Sequence, residues 1–364
     1  MKNAFLLSAF VVATLASTRS LAQYNAYDLG GGEALGINSY GTVVGYTESI
    51  SVHHAFSYSD GVMTDLGAPL GGSTSSAKSI NNAGVVVGTS DCDNGYWHAF
   101  TYSGSQFTDL GVYSSLYSFG RGINDSGLIV GTVWTTGNKD HAAFYSSGHW
   151  TDLGTLGGNY SAAAAVNSSG TIVGWSDLSY GTHAFTYQNG VMTDLGTFGG
   201  SVSYGLDINN SGVVVGYGTT PNNYYYQAFR YSDGVMTCIG TLGGAYSYAN
   251  AVNSSGVIVG AAEYDASGEQ HAFRYSNGQM IDLAPYLAPL GLTGRSAALD
   301  INDRGDIVGR ALDAEGTEHA FLLAVPEPSV GAVLVLGAGM VLVRRRGFYG
   351  VLRAEAVTEK QAER

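Results

Sequence analysis

The stretch HAFTYQNGVMTDLGTFGGSVSYGLDINNSGVVVGYG, His183 to Gly218, decides the fold, because close copies of it run from one end of the chain to the other. Four segments recur in order, each seven times: H-A-F-x-Y, T-D-L-G, I-N-x-x-G and V-V-G. The turn asparagines are Asn38, Asn81, Asn124, Asn167, Asn209, Asn253 and Asn302, spaced by about 43 residues with the last interval stretched to about 49. A fixed period of roughly 40 to 50 residues fits a propeller blade of four short strands.

Each unit reads as strands a to d. In the second unit these span Ser76 to Ile80, Val85 to Thr89, His98 to Tyr102 and Phe107 to Leu110. Asn81-Asn82-Ala83-Gly84 suits a type I turn between a and b, with Asn first and Gly fourth. Asp60-Gly61, Asn189-Gly190, Asp233-Gly234 and Asn277-Gly278 are two-residue hairpin signals between c and d. The array starts mid-unit with YNAYDLG (24–30) and stops mid-unit with HAFLLA (319–324). Pairing those halves would remove two open sheet edges at once. The expected fold is all-β: a seven-bladed β-propeller of four-stranded antiparallel blades, its ring closed by the N-terminal strand pairing with the C-terminal strand. Strand d is placed outermost by resemblance to tryptophan-aspartate repeat propellers.

Composition agrees with many short strands. The 364 residues include 53 Gly, 25 Tyr and only 6 Pro, and charged residues are 12%. That mix argues against disorder and against a helical bundle. Between Tyr24 and Ala324 the chain holds 8 Lys or Arg against 25 Asp or Glu. No basic stripe exists for a nucleic-acid backbone, so nucleic acid is excluded as a partner and neutral or basic glycans fit the average charge better than anionic ones. Cys92 and Cys238 lie in different segments of different units and read as two free thiols.

Four regions follow. Residues 1–22 have a Lys2 n-region, an apolar run and small residues at Ser20 and Ala22, the pattern of a secretory signal peptide. Residues 23–324 are the repeats. Residues 325–346 combine Val325-Pro326-Glu327-Pro328, an apolar run from Val330 to Val343 and the triplet Arg344-Arg345-Arg346, with positive charge on the cytoplasmic side. The run is short for a hydrocarbon core of ~30 Å and suits a transient sorting signal, the chain's one membrane contact. Residues 347–364 would form a cytoplasmic tail, removed with that signal.

His and Asp recur in register: His54 with Asp65, His98 with Asp109, His141 with Asp152, His183 with Asp194, His271 with Asp282, and His319 with Asp28 across the closure. In a c–d hairpin the Asp lies opposite the Phe and diagonal to the His, on one face. One unit carries Gln227 and Cys238 at the two positions, so both members change together. A pair repeated so often reads as a structural hydrogen bond, since a single catalytic centre breaks repeat symmetry. The histidines are spread one per unit, which supplies no convergent zinc ligands, so neither a metal nor a cofactor is expected. Asp91, Asp93 and Asn94 share one loop as oxygen ligands without the full calcium-loop spacing, and a structural calcium there is the weaker reading. No catalytic residue is assigned.

The b–c loops hold nearly all the sequence variety, and off-pattern aromatics sit in or beside them: Tyr46, Trp97, Trp134, Tyr180, Tyr225 and Tyr264, with Trp175, Tyr224 and Tyr226. Exposed Tyr and Trp offer apolar area with a polar handle, which suits a glycan or peptide. These form the expected ligand face, set against loop aromatics that only cover sheet edges.

Two resemblances add to this reading. Val325-Pro326-Glu327-Pro328 followed by a short apolar helix and an arginine cluster resembles the PEP-CTERM sorting signal, which implies processing by an exosortase in a Gram-negative envelope. His54-Ala55-Phe56, His98-Ala99-Phe100, His183-Ala184-Phe185, His271-Ala272-Phe273 and His319-Ala320-Phe321 resemble the HAF-repeat family of extracellular bacterial proteins over about 300 residues. That likeness implies export and a repeat fold and attaches no reaction. The expected function is a non-enzymatic exported scaffold of the cell envelope or extracellular matrix. Its expected partners are the exosortase, the secretion machinery and extracellular polysaccharide or envelope proteins. The alternative is an extracellular propeller lyase or hydrolase acting on polysaccharide.

Overall fold

The structure is a computed structural model that describes residues 24–49, 52–114, 116–222 and 224–326. The expected signal peptide, Glu327, Pro328, the apolar run, Arg344, Arg345, Arg346 and the expected tail lie outside the described residues. The chain falls into two compact units that part after Val325, and the first holds every described strand.

Five sheets have four antiparallel strands each and a sixth has seven. The four-stranded ones run in chain order, as in Ser203–Ile208, Val214–Thr219, Tyr226–Ser232 and Val235–Gly240, with strand d at the outer edge. The seven-stranded sheet is joined through the first strand, Asn25–Ile37. Its first half pairs with the last strand, Glu318–Ala324, from Asn25 opposite Ala324 to Gly31 opposite His319. Its second half pairs with Val43–Ser49, from Gly32 opposite Thr47 to Ile37 opposite Val43.

Turn chemistry fixes these elements. Gly84 N–H donates to the Asn81 carbonyl at 3.0 Å, Gly84 has φ +78°, and the Asn81 side chain accepts from Val85 N–H at 2.9 Å. At the c–d hairpins both turn residues are left-handed, as at Asp60 (φ 53°) and Gly61 (φ 82°), the type I′ geometry that Asp-Gly and Asn-Gly favour. Strand limits differ from the sequence reading. In the second unit, strand a begins at Gly71, b runs Val86–Cys92, c runs Trp97–Ser103 and d runs Gln106–Asp109. GGSTSS carries few strand-forming residues, so the early part of strand a shows no sequence signal.

The turn asparagines also link the units. Each Nδ2 donates to the carbonyl of the next, from Asn38 to Asn81 at 3.2 Å and onward, and Asn302 donates back to the Asn38 carbonyl at 3.0 Å. A cavity of about 220 Å³ is lined by all seven, which places the a strands around one axis.

The core lies between neighbouring sheets. Phe56, Phe100, Phe185, Phe229, Phe273 and Phe321 of the repeated H-A-F segment are fully buried. The V-V-G glycine lets strands a and b close over them, because a Cβ on Gly216 would overlap the Tyr204 carbonyl oxygen. The third unit departs from this scheme. Ala143 occupies the Phe position opposite Gly131, and Trp150 from strand d packs with Ala143, Val87 and Ala99 and fills the vacated volume. Its Nε1–H donates to the Gly111 carbonyl at 3.3 Å.

The long last interval holds a short helix, Ala284–Leu287, and a 3-10 turn, Ala288–Leu290, an addition to the all-β expectation. Prolines near the start of each suit helix entry. Leu283, Leu287 and Leu292 are buried with Tyr24, whose ring meets Tyr286 edge-on at 5.3 Å.

One irregularity recurs. All seven inner strands carry a bulge at the same place, and the residues left without a partner are Leu35, Lys78, Arg121, Ala164, Leu206, Asn250 and Leu299. A bulge re-aims a side chain. Here the flanking residues on either side face the adjacent sheets, as a Cβ on Gly120 would meet Val87 and one on Gly122 would meet Ala165. The bulged side chain between them is left to the central channel.

Candidate functional site

The His and Asp positions meet as hydrogen-bonded pairs. The Nδ1···carboxylate distances are 3.1 Å for His54 with Asp65, 3.0 Å for His98 with Asp109, and 2.9 Å for His141 with Asp152, His183 with Asp194, and His271 with Asp282. His319 meets Asp28 of the first strand at 3.0 Å. Where Gln227 and Cys238 replace the pair, the thiol contacts the Gln227 amide oxygen at 3.1 Å. Each Asp also serves the following turn, as when Asp65 Oδ1 accepts from Gly67 N–H at 2.7 Å. The Gly67 carbonyl in turn accepts from Ser75 Oγ, which accepts from Ala55 N–H at 2.8 Å. The same circuit recurs through Ser118, Ser161, Ser203 and Ser247. With Ala272 N–H donating to Ser296 Oγ at 2.9 Å, every pair but one sits beside a joint between one sheet and the next strand a. The exception is the His319–Asp28 pair, which has Gly32 where the serine would be.

Burial works against a charged His319, but hydrogen bonds and attraction from Asp28 and Asp313 outweigh it and raise its pKa. His183→Ala is expected to cost about 1 kcal/mol, since both partners are partly exposed and Asp194 keeps its bond from Gly196 N–H at 2.7 Å. Chemical denaturation measures the stability, and saccharide binding by the same variant should be unchanged. Lost binding at unaltered stability would oppose a structural role.

The six aromatics of the expected ligand face do not form one patch. Tyr180 is 92% exposed and Trp97 is 38% exposed. Tyr46 packs on His53 at 5.1 Å, Trp134 on Tyr117 at 5.0 Å, Tyr225 on Tyr246 at 5.5 Å, and Tyr264 stacks on His271 at 4.9 Å. No ring contact among the described residues joins any two of the six. In the acidic loop, Asp91 accepts from Thr74 N–H at 2.7 Å and Ser73 N–H at 3.1 Å, while Asn94 accepts from Tyr96 N–H at 3.0 Å. Among the described residues no group of three His, Cys, Asp or Glu is placed to hold a metal. Cys92 and Cys238 are free, and burial, Asp109 and Asp91 push the Cys92 thiol up. Val325 N–H donates to Asp306 Oδ1 at 2.8 Å, and Pro326 is the last described residue of the expected sorting motif.

A continuous arc of rings does form, at the b–c ends of the two innermost strands. Trp175 meets Tyr204 at 5.7 Å, Tyr204 stacks on Tyr217 at 4.9 Å, and Tyr217 meets Tyr248 at 5.0 Å. Tyr226 closes on Tyr217 at 5.6 Å. These rings are half-buried, and burial followed by mutual repulsion raises the Tyr217 pKa to about 12, so the phenols stay neutral donors. The corresponding positions in other units hold Ser76 and Thr89, or Ala297 and Arg310. The sequence reading missed Tyr204, Tyr217 and Tyr248 because they lie in strands treated as repeating scaffold. Comparing the seven a strands position by position would have exposed them.

The same comparison marks the charged residues. Glu33, level with Tyr204, pairs with Arg310 at 3.1 Å, and Arg310 also pairs with Glu318 at 2.7 Å. Burial raises the Glu33 pKa despite Arg310. Asp207 and Asp300 follow the bulge on their strands. Asp207 accepts from Ile208 and Val252 N–H, and Asp300 from Ile301 and Ile37 N–H, each at 2.8 Å. Burial lifts Asp207 to about 6; burial and then Asp207 lift Asp300 to about 7. All four backbone donors tie these carboxyls to their own and neighbouring a strands, a structural use.

No protein-family model matches the chain, and no curated protein sequence matches it. Among solved structures, a puromycin hydrolase aligns with a TM-score of 0.51 at 12% identity, over 80% of this chain and 52% of that one. A puromycin-hydrolyzing peptidase of Mycobacterium tuberculosis aligns with a TM-score of 0.51 at 13% identity, over 82% and 50%. TolB from Acinetobacter baumannii aligns with a TM-score of 0.46 at 12% identity, over 82% and 65%. The chain spans about half the length of the two hydrolases. At such identities the likeness is one of fold alone, and it makes this chain a β-propeller. Among its described residues no helix is long and apolar enough to cross a membrane.

Proposed function

We propose that the chain is a seven-bladed propeller closed by its N-terminal strand, exported to the cell envelope or matrix, where it binds saccharide or protein without catalysing a reaction. The closure is supported by the pairing of the first strand with the last and by the asparagine circuit that returns to Asn38. The signal peptide, the HAF-type repeats and the exosortase-type sorting sequence support export, with the C-terminal segment cut off at the membrane. The repeated His and Asp pairs are read as joints between blades.

The observation that carries the binding role is the arc from Trp175 through Tyr204 and Tyr217 to Tyr248. Four adjoining rings in three successive units break the repeat and face the end of the channel where the variable loops gather. Stacked rings present the flat apolar area and hydroxyl donors that a pyranose ring takes up. The full chain screened against a panel of matrix saccharides should bind at least one. Tyr217→Ala should then weaken binding by about 2 kcal/mol or more, as expected of a central ring, while Ser168→Ala at the opposite end should be silent. Equal binding by the Tyr217 variant would overturn this assignment of the face.

A further inference from the structure

The average charge of the propeller hides a local exception. Of the residues lifted out of register by the inner-strand bulge, five are uncharged and two, Lys78 and Arg121, are cations on adjacent units. Both are solvent-accessible although they sit on the innermost strands, which places them in the channel. Lys78 Nζ lies 6.0 Å from the Tyr46 ring centroid, at the b–c end. Among the described residues neither cation forms an ion pair. The carboxylates that act on them, Glu33 on Lys78 and Asp140 on Arg121, are shared with other partners: Glu33 with Arg310 at 3.1 Å, and Asp140 with the Tyr117 hydroxyl at 2.7 Å. Desolvation holds both below their ordinary pKa values; Glu33 offsets this in part at Lys78 and Asp140 at Arg121, and Arg121 further depresses Lys78. Two partly desolvated cations on adjacent strands, each facing a carboxylate already shared with another partner, carry a desolvation cost. An anion entering the mouth would remove that cost.

We propose that the b–c mouth of the channel binds an acidic saccharide, its carboxylate held between Lys78 and Arg121 and its sugar rings against Trp175, Tyr204, Tyr217 and Tyr248. The cations lie on the second and third units and the rings on the fourth to sixth, so a chain of a few sugars would span the mouth and reach both. Arg121 offers a planar fork of donors matched to a carboxylate, and Lys78 a compact charge beside it. The inference rests on the binding face proposed above and names its ligand class. It also reverses the preference for neutral or basic glycans suggested by overall charge.

The test uses tetragalacturonate and its methyl ester, which share ring shape and differ in charge, titrated into the full chain at low salt. The acid should bind about tenfold tighter or better, and added salt should narrow the gap. Lys78→Met with Arg121→Met should abolish the preference, bringing the acid down to the affinity of the ester. Equal affinity for the two forms, or a preference that survives both substitutions, overturns the acidic ligand while ester binding upholds the face. Binding of neither form overturns the acidic ligand, and the face falls with it only if neutral members of the saccharide panel also fail.

Discussion

Removing residues 24–29 should leave a protein that melts at lower temperature and aggregates. Those residues supply Tyr24 to a buried cluster with Leu283, Leu287 and Phe321, and they cover the edge of the last strand, Glu318–Ala324. They also bring Asp28 to His319. Without them an exposed edge can pair with another molecule, the standard route to edge-to-edge association. Light scattering during a thermal ramp measures both consequences. A truncated chain that melts and scatters like the intact one would show that the N-terminal strand does not close the ring.

The second large effect is expected at Trp150. This side chain occupies the space where other units place the buried Phe of the H-A-F segment, and its neighbours are small: Ala99 and Ala143. Trp150→Ala should destabilise the propeller by about 3 to 5 kcal/mol, the range for emptying a large aromatic site. Restoring the usual arrangement, Ala143→Phe with Trp150→Met, should recover most of that loss, whereas Ala143→Phe alone should overpack and destabilise. Denaturant titration of the intact chain, Ala143→Phe, Trp150→Met and the double variant measures the cycle. Independent effects of the two positions would refute the exchange of volume between them.

The fold was legible where residue type dictates backbone. Asn81 followed by Gly84, and Asp60 followed by Gly61, name their turns because few residues tolerate the required dihedrals. The diagonal placement of Asp65 on His54 followed from hairpin register alone. What escaped the sequence reading had no such dictation. A bulge at Lys78 depends on how strands a and b close over a glycine and a neighbouring sheet, which no local pattern encodes. The helix Ala284–Leu287 shows in the sequence only as a stretched last interval, because four residues carry no helical period.

The face proposed for binding was half legible. Sequence variety marks the b–c end as a place where units differ. It directed attention to exposed loop residues such as Tyr180, however, while the contiguous rings lie just below, on strands. A side chain on a strand can be as individual as one in a loop when the strand lines a channel. Tyr204, Tyr217, Lys78 and Arg121 share that property. Function placed there would change single positions and leave the repeat recognisable around them.

The central claim is that the channel mouth at the b–c end is where this propeller meets its ligand. A crystal structure of the full chain with a bound saccharide from the panel tests it directly. The account predicts sugar rings against Tyr204, Tyr217 and Tyr248. Saccharide seated instead at the opposite end, over the ring of Asn38, Asn81 and their equivalents, would contradict it.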